Sequence, residues 1–218
     1  MPPAVYKDLC LDARDRLVLG RFWAAALGLE LVDRGDGVAF LRGPTPRHTV
    51  WIAEVPEPRT VKNRMHLDVH ARSVDELLDL GATVVEPFAP WTVLADPEGG
   101  EFCAFVRDSP PENRLYEIVL DAAAPRVVAR WWAELLGGRY VDEGEDYVWV
   151  ADIPGAPFES LVVVPVPEPK TAKNRVHPDV YGDVAQIVAH GAVLLAEQPR
   201  WTVVADPEGN EFCVFPPR

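Results

Sequence analysis

The sequence predicts an α+β protein made of four β-α-β-β-β modules, which form two similar domains over residues 1–108 and 113–218. Three observations lead to this prediction. The two halves of the chain repeat one another, segments of helical and strand-like periodicity follow in the same order in each half, and a polar, proline-containing segment, Arg107–Arg114, separates the halves. Hydrophobic residues make up 48% of the chain, which is enough to bury a sizeable core.

Two long segments of the first half return in the second. VPEPRTVKNRMHLDVH, at Val55–His70, returns at Val166–Tyr181 with 11 of 16 positions identical, and WTVLADPEGGEFCAF, at Trp91–Phe105, returns at Trp201–Phe215 with 12 of 15 identical. A shorter pair, RFWAAALG and RWWAELLG, lies near the start of each half. Because the offsets all fall between 109 and 111 residues, each half is predicted to be one compact domain rather than a short solenoid repeat.

The first module begins with a strand at Tyr6–Leu11. Asp12 or Asp15 can cap a helix that runs to Leu27 and stops at Gly28, because aspartate favours helix starts and glycine favours helix ends. Three strand-like segments follow, at Leu29–Asp33, Gly37–Leu41 and Thr49–Val55.

The second module repeats this order, starting with a strand at Asn63–Val69. Ser73 and Glu76 have the spacing of a capping box for a helix that ends at Gly81. Strands then begin at Thr83, Trp91 and Glu101. In the second half, the corresponding helix starts and ends are Pro125 with Gly137 and Asp183 with Gly191.

Charge and composition exclude several classes of function. The net charge of −13, with no local cluster of Lys or Arg, argues against a nucleic-acid partner. The sequence has no apolar stretch long enough for a transmembrane helix and no signal-peptide pattern at its start, so we expect a cytoplasmic protein with no membrane partner. The three cysteines, Cys10, Cys103 and Cys213, are too few for a disulfide framework and are expected to be reduced.

The mid-domain strand of each half has one apolar and one polar face. Met65, Leu67 and Val69 alternate with polar residues, so the polar residues share the opposite face of the sheet. That face can simply be solvated, or it can line a ligand pocket. The residues concerned are Arg64, His66, Asp68 and His70 in the first half, and Arg175, His177, Asp179 and Tyr181 in the second.

Three ordered motifs, FW-x-x-x-LG, KNR-x-H-x-DV and W-x-V-x-ADPEG-x-EFC, resemble those of the vicinal oxygen chelate superfamily, in particular its glyoxalase-like branch. The resemblance covers nearly the whole chain, twice. It implies that paired modules curl an antiparallel sheet into a half-barrel around one pocket. Members include glyoxalase I, fosfomycin-modifying enzymes, extradiol dioxygenases and metal-free bleomycin-binding proteins.

The resemblance also implies where a divalent metal ion would bind. Metal-dependent members take ligands from the first strand, from the histidine of the mid-domain strand and from a glutamate of the last strand. The matching residues are Asp8, His66 and Cys103 in the first half and Glu117, His177 and Cys213 in the second. Modules can also pair across the two halves, which would place Asp8 with His177 and Cys213.

Cysteine replaces the usual last-strand glutamate in both halves, which argues against the family's metal triad. Cys103 and Cys213 can instead be half-buried strand residues, or a thiolate could pair with His66 as nucleophile and base. Glu101 and Glu211, two residues earlier, are the alternative carboxylates. The ADPEG segments are interpreted as tight turns that shape the fold.

The favoured interpretation is a metal-free protein of bleomycin-binding type that binds a small organic molecule. The alternative is a metal-dependent lyase or dioxygenase. No catalytic residue is assigned, and tandem fusion predicts a monomer or weak homodimer. Three tryptophans are assigned to the core (Trp23, Trp131 and Trp132). The residues assigned to substrate binding are Arg64, His66, Asp68, Trp91, Glu101, Cys103, Arg175, His177, Asp179, Trp201, Glu211 and Cys213.

Overall fold

The computed structural model describes residues 1–217, and the order strand, helix, three strands recurs along the chain. The first half contains β1 (Ala4–Ala13), α1 (Arg16–Leu27), β2 (Glu30–Asp33), β3 (Val38–Arg42), a 3-10 turn (Pro46–His48), β4 (Val50–Glu54), β5 (Met65–Ala71), α2 (Val74–Asp79), β6 (Thr83–Pro87), β7 (Thr92–Ala95) and β8 (Glu101–Val106).

The second half repeats the same order without the 3-10 turn. It contains β9 (Leu115–Ala122), α3 (Pro125–Leu136), β10 (Arg139–Val141), β11 (Val148–Ala151), β12 (Ser160–Pro165), β13 (Val176–Gly182), α4 (Val184–Ala189), β14 (Val193–Glu197), β15 (Thr202–Ala205) and β16 (Glu211–Phe215). The predicted α+β class is confirmed.

The strands form two eight-stranded sheets, and each sheet takes four strands from each half of the chain. The first sheet has the order β14-β15-β16-β13-β1-β4-β3-β2, and the second has the order β10-β11-β12-β9-β5-β8-β7-β6. The central pairs, β1 with β13 and β5 with β9, are antiparallel and join the halves. The modules therefore pair across the halves, which was one of the two arrangements that the sequence left open.

The sheets are mixed, whereas the resemblance implied antiparallel sheets. The first and fourth strands of each module run parallel, as β1 with β4 and β5 with β8 show. The reason lies in the connections. Two hairpin turns join the last three strands of a module, so its fourth strand returns beside the first in the same direction.

The core lies on the face of the sheets against which α1 and α3 pack. Trp23, Trp131 and Trp132 are buried there, as predicted, with 3%, 7% and 0% of their surface exposed. Trp132 packs against Phe212, with ring centroids 5.0 Å apart. These contacts anchor the helices on the sheets and leave the opposite face free for other chemistry.

The residues that were predicted to begin and end the helices are confirmed. Asp15, rather than Asp12, caps α1 by accepting hydrogen bonds from the backbone amides of Leu17 and Val18, and Gly28 ends the helix with φ at 70°. Pro125 is the first residue of α3, and Gly137 ends it with φ at 71°. Both glycines adopt the left-handed conformation that other residues rarely take.

The ADPEG turns connect different elements of the fold by hydrogen bonds. The Asp96 carboxylate accepts hydrogen bonds from the amides of Glu98 and Gly100 within its own turn and from the Trp23 indole at 3.3 Å. The Glu98 carboxylate reaches the amides of Arg14 and Asp15 at the start of α1. These turns therefore fix α1 against the second sheet, in agreement with their structural interpretation.

The repeated loops that contain the KNR sequences hold the halves together. Arg64 donates a hydrogen bond to the backbone oxygen of Glu168, and Arg175 donates one to that of Glu57 at 3.0 Å. The reciprocal contacts explain why both copies keep an arginine. Lysines of the same loops form ion pairs with buried aspartates, Lys62 with Asp121 and Lys173 with Asp12.

No helix among residues 1–217 combines the length and the apolar composition that a membrane-spanning helix requires.

Candidate functional site

Polar side chains collect on the sheet face opposite the core, at the two junctions where the halves meet. At the junction of β5 with β9, Asp68 lies opposite Glu117, and at the junction of β1 with β13, Asp179 lies opposite Asp8. A cysteine stands on the other side of each central aspartate, because Asp68 lies opposite Cys103 and Asp179 lies opposite Cys213. Each sheet thus carries a row of carboxylate, carboxylate and thiol.

We call the first cluster the Lys7 site, formed by Lys7, Asp8, His177, Asp179 and Cys213. The Lys7 ammonium lies 2.7 Å from an Asp8 carboxylate oxygen and 3.3 Å from Asp179. The indole nitrogen of Trp51 donates a hydrogen bond to Asp8 at 3.1 Å. The Lys7 side chain therefore bridges the two carboxylates of the site.

Burial controls the protonation of the Lys7 site. The pKa of Asp8 is raised to about 7, mainly by burial and also by the Asp179 carboxylate, while Lys7 and Trp51 oppose the rise. Burial and the neighbouring Asp179 also raise the pKa of the Cys213 thiol. Burial disfavours the charged form of His177, but Cys10 and Asp179 outweigh it, so the pKa of His177 lies above its ordinary value.

We call the second cluster the Glu117 site, formed by His66, Asp68, Cys103, Tyr116 and Glu117. The Ser160 hydroxyl donates a hydrogen bond to Glu117 at 2.5 Å. His66 Nδ1 lies 3.0 Å from an Asp68 oxygen. The cation of the Lys7 site has no counterpart in this set of residues, because tyrosine stands where lysine would be.

Desolvation also governs the acids of the Glu117 site. The pKa of Glu117 is raised to about 7, mainly by burial and also by the negative charges of Asp68 and Glu159, against the opposing hydrogen bond from Ser160. The pKa of the Cys103 thiol is raised by burial and by Asp68. A thiol that holds its proton this firmly is a poor nucleophile, so the pairing of Cys103 with His66 as nucleophile and base gains no support.

A β-bulge at the same place in β1 and β9 sets the direction of the side chain of the first residue of each site. The pairing with β13 shifts between Tyr6 and Asp8, so Lys7 is the extra residue. The pairing with β5 shifts between Leu115 and Glu117, so Tyr116 is the extra residue. A bulge breaks the two-residue alternation of a strand, which allows Lys7 to reach the carboxylates beside Asp8.

Several buried polar atoms on this face have no hydrogen-bond partner among residues 1–217. They are His66 Nδ1, Asp68 Oδ1, His70 Nδ1, His177 Nδ1 and Asp179 Oδ1. Asp68 and Asp179 are only 5% and 4% exposed. Unpaired buried polar groups cost free energy, and folded proteins rarely keep them without a ligand, an ion or ordered water. Their concentration at these two junctions marks both as candidate ligand sites.

Aromatic side chains border the Glu117 site. Tyr116 packs against His70, with ring centroids 4.4 Å apart, and against Phe105 at 5.0 Å. Trp91 continues the row, 5.9 Å from Phe105. In the Lys7 site, Trp201 stacks on Phe215 at 5.8 Å. Trp91 and Trp201, which the sequence assigned to substrate binding, therefore lie in two aromatic rows. One row reaches Tyr116 of the Glu117 site, and the other ends at Phe215, over which the Lys7 ammonium lies.

The other predicted binding residues do not belong to the two clusters. Arg64 and Arg175 serve the loop contacts described above. Glu211 accepts hydrogen bonds from Lys170 at 2.8 Å and from the amide of Asn174 at 3.1 Å. Glu101 begins β8, half-buried, two residues before Cys103.

Three groups of side chains in residues 1–217 could converge on a metal ion, with ligand atoms within 4.8 Å of one another. They are His66 with Asp68 and Cys103, His177 with Asp179 and Cys213, and Cys10 with Asp12 and His177. Asp8 and Glu117, the first-strand ligands implied by the resemblance, belong to none of these groups. Across the halves, however, Asp8 does share its site with His177 and Cys213 rather than with His66.

A separate cleft of about 560 Å³ lies between the two repeated loops. Its bases Lys62 and Arg64 already contact Asp121 and the backbone of Glu168. None of the polar atoms that mark the two sites lines this cleft, whereas Asp121 Oδ1, a buried atom outside both sites that also lacks a hydrogen-bond partner within residues 1–217, does. We therefore place the candidate function at the sheet junctions and not in the cleft.

Sequence reasoning missed four residues of the two sites. Lys7 and Tyr116 escaped because strict alternation places them on the core side of their strands, and a bulge cannot be read from one sequence. Trp51 and Ser160 escaped because their strands become neighbours of β1 and β9 only in the folded sheet. The only available signal was the repeat itself, which aligns Lys7 with Tyr116.

Comparison with known proteins agrees with this architecture. Residues 8–105 and 117–215 each match the glyoxalase-like domain family. Glyoxalase I from Zea mays has a similar structure, with a TM-score of 0.70 at 15% identity over 98% of this chain and 92% of that one. A putative dioxygenase from Bacillus subtilis gives 0.66 at 14% identity over 99% and 86%. At such identities the similarity shows the fold alone.

A search of curated proteins found no match. The family assignment therefore rests on the two matching segments, which together span most of the chain, and on the shared fold. The chain belongs to the glyoxalase-like domain family of the vicinal oxygen chelate superfamily and carries two such domains in tandem.

Proposed function

We propose that this protein binds a small organic molecule at the sheet junctions, without the metal triad usual in its superfamily. The observation that carries the proposal is the set of buried polar atoms at both junctions that have no hydrogen-bond partner among residues 1–217. Asp68 Oδ1 and Asp179 Oδ1 lead this set, because their contacts with His66 Nδ1 and His177 Nδ1, at 3.0 and 3.5 Å, are not hydrogen bonds. A bound molecule with hydrogen-bonding groups would satisfy these atoms and recover the free energy lost by burying them. The adjoining aromatic rows offer apolar surface for the rest of the ligand.

The Lys7 site does not fit a divalent metal ion. Its two carboxylates, Asp8 and Asp179, already hold the Lys7 ammonium at 2.7 and 3.3 Å. A metal ion beside them would face a fixed positive charge and would have to displace it. The last-strand ligand is the Cys213 thiol, whose raised pKa opposes the thiolate that a metal needs.

A second candidate is a metal-dependent lyase or dioxygenase working at the Glu117 site. The observation that favours it is the convergence of His66, Asp68 and Cys103 within 4.8 Å. Imidazole, carboxylate and thiolate are ligands that zinc accepts, and a metal held there would supply Lewis-acid chemistry. Glu117, with its pKa near 7, would then be placed to accept or return a proton.

One experiment separates the two functions. Untagged protein is purified without chelators, its metal content is measured by mass spectrometry, and a panel of cationic, neutral and anionic aromatic compounds is screened by thermal shift and tryptophan fluorescence. We expect less than one equivalent of transition metal together with a response to part of the panel. Asp68→Asn should weaken that response, since it removes the charge of a buried group at the centre of the Glu117 site.

The matched control is Asp36→Asn, because Asp36 is exposed and lies far along the chain from both clusters. It should leave the response unchanged. A full equivalent of zinc that is lost on His66→Ala, combined with no response to any organic compound, would reject the binding proposal and favour the metal-dependent enzyme.

A further inference from the structure

We infer that the Glu117 site takes a ligand that carries a protonated amine, and that the Lys7 side chain is the built-in occupant of the equivalent position in the other site. This inference rests on the proposed function, because it names the chemical class of ligand for one of the two sites.

The two sites are built from equivalent positions, so one can serve as a template for the other. Lys7 and Tyr116 are the extra residues of matching bulges. Asp8 corresponds to Glu117, because each follows the bulge and lies opposite the central aspartate of its site. The remaining equivalent pairs are Asp179 with Asp68, Cys213 with Cys103, and Phe215 with Phe105.

In the Lys7 site this set of residues surrounds an ammonium group. The Lys7 nitrogen lies 2.7 Å from Asp8 and 3.3 Å from Asp179. It also lies 4.1 Å from the centroid of the Phe215 ring and 5.9 Å from that of Trp51. Two carboxylates and an aromatic face are the partners that recognise amines in proteins. The framework of these sites is therefore suited to an ammonium group.

The Glu117 site lacks the ammonium group of the Lys7 site. Lys7 forms ion pairs with both Asp8 and Asp179, whereas within residues 1–217 no lysine or arginine forms an ion pair with Glu117 or Asp68. Arg107 does not compensate, since its guanidinium lies over the Phe105 and Tyr116 rings, 5.6 and 5.7 Å from their centroids. Among residues 1–217 it forms no ion pair with Glu117 or Asp68.

The Asp68 carboxylate shows where the missing cation belongs. Asp68 is 5% exposed, and its Oδ1 has no hydrogen-bond partner within residues 1–217. His66 Nδ1 is 3.0 Å away but lies outside hydrogen-bonding geometry. The N–H groups of an amine between Glu117 and Asp68 would reproduce the contacts that Lys7 makes with Asp8 and Asp179.

The apolar part of the ligand has a surface to lie against. Phe105, Tyr116 and Trp91 form a continuous aromatic row beside Glu117. An amine needs no deprotonated thiol, whereas zinc would require Cys103 to lose a proton that burial and Asp68 hold in place. The geometry thus favours an aromatic or alkyl amine over a metal ion as the occupant.

The test is isothermal titration of the full-length protein with benzylammonium, at about pH 8 so that the amine stays protonated. Benzyl alcohol and benzoate serve as the neutral and anionic probes. We expect about one equivalent of benzylammonium to bind and Glu117→Gln to weaken binding at least about tenfold. Tyr116→Lys should abolish binding, because the new side chain supplies an internal ammonium.

The reciprocal variant Lys7→Ala opens the other position, so benzylammonium should then bind with about two equivalents. If Lys7→Ala does not fold, Tyr116→Lys and Glu117→Gln still decide the matter. Benzyl alcohol or benzoate binding as well as the amine, with no effect of Tyr116→Lys, would overturn this inference and leave the proposed function standing. No binding of any of the three probes would overturn this inference alone, because the wider panel tests the proposed function, whereas an equivalent of zinc that excludes the amine would overturn both.

Discussion

Lys7 and Tyr116 show how one residue changes the character of a site. Both are the extra residue of a bulge beside a pair of acidic side chains. Lysine adds a cation that holds two carboxylates together, whereas tyrosine adds a ring that packs against His70 and Phe105. The acids of the two sites are thus alike in position but different in what balances their charge.

Glu117 should make stability depend on pH. Its pKa is raised from 4.5 to about 7, so the folded chain binds this proton more tightly than the unfolded chain does. The stabilising contribution of the protonated form is therefore present at low pH and is lost as the pH rises from about 4.5 to about 7. Glu117→Gln should raise Tm by roughly 2–4 °C at about pH 8 and have little effect at about pH 4.

Differential scanning calorimetry across this pH range measures the effect. The control is Glu112→Gln, because Glu112 is exposed and should give no pH-dependent difference. A variant Glu117→Gln that is equally stabilised at both pH values would show that the side-chain shape, and not its ionisation, is responsible.

At the scale of elements, the glutamates of the ADPEG turns hold the chain just before a helix of another module. Ala124 precedes α3 and gives it no side-chain cap, and the Glu208 carboxylate accepts hydrogen bonds from the amides of Ala123 and Ala124, the two residues before the helix. Glu98 binds the equivalent amides, those of Arg14 and Asp15, before α1, which Asp15 caps.

This difference predicts unequal effects of two equivalent substitutions. Glu208→Ala should lower the free energy of unfolding by about 1 kcal/mol, because it removes the hydrogen bonds that hold Ala123 and Ala124 at the start of an uncapped helix. Glu98→Ala should cost less, because Asp15 continues to cap α1. Urea denaturation of both variants measures the two values. Equal losses would mean that the Asp15 cap does not compensate for the lost hydrogen bonds of Glu98.

The sequence predicted the helices and strands better than it predicted which strands pair with one another. Helix ends were predictable because local chemistry sets them, as with Asp15, Gly28 and Pro125. His66, Asp68, His177 and Asp179 were predictable from the alternation of their strands. The bulges were not, because a bulge depends on the register with a partner strand, and β1 finds its antiparallel partner more than 160 residues away in β13.

At the scale of the whole molecule, the centre of each sheet is a seam between the halves. An isolated first half would expose β1 and β5, which pair with β13 and β9 in the complete chain. β5 resembles β13 in sequence. In a dimer of two first halves, β1 of each copy could therefore pair with β5 of the other copy. Full-length protein already satisfies both seams, so we expect it to be a monomer or a weak dimer.

Light scattering of residues 1–108 and of the full chain tests this prediction. We expect the fragment to dimerise or to aggregate, and the full chain to remain mainly monomeric at micromolar concentration. A fragment that is folded and monomeric would show that the seams contribute little, and a tight tetramer of the full chain would mean that other surfaces associate.

The fusion of the two halves also affects how the two sites can evolve. In a dimer of identical single domains, one substitution alters both sites together, so the sites stay alike. Here each site draws on both halves, but every position is encoded separately, so Lys7 and Tyr116 can differ without constraint. Fusion of the copies thus allows one site to become specific for a ligand while the other site keeps only a structural role.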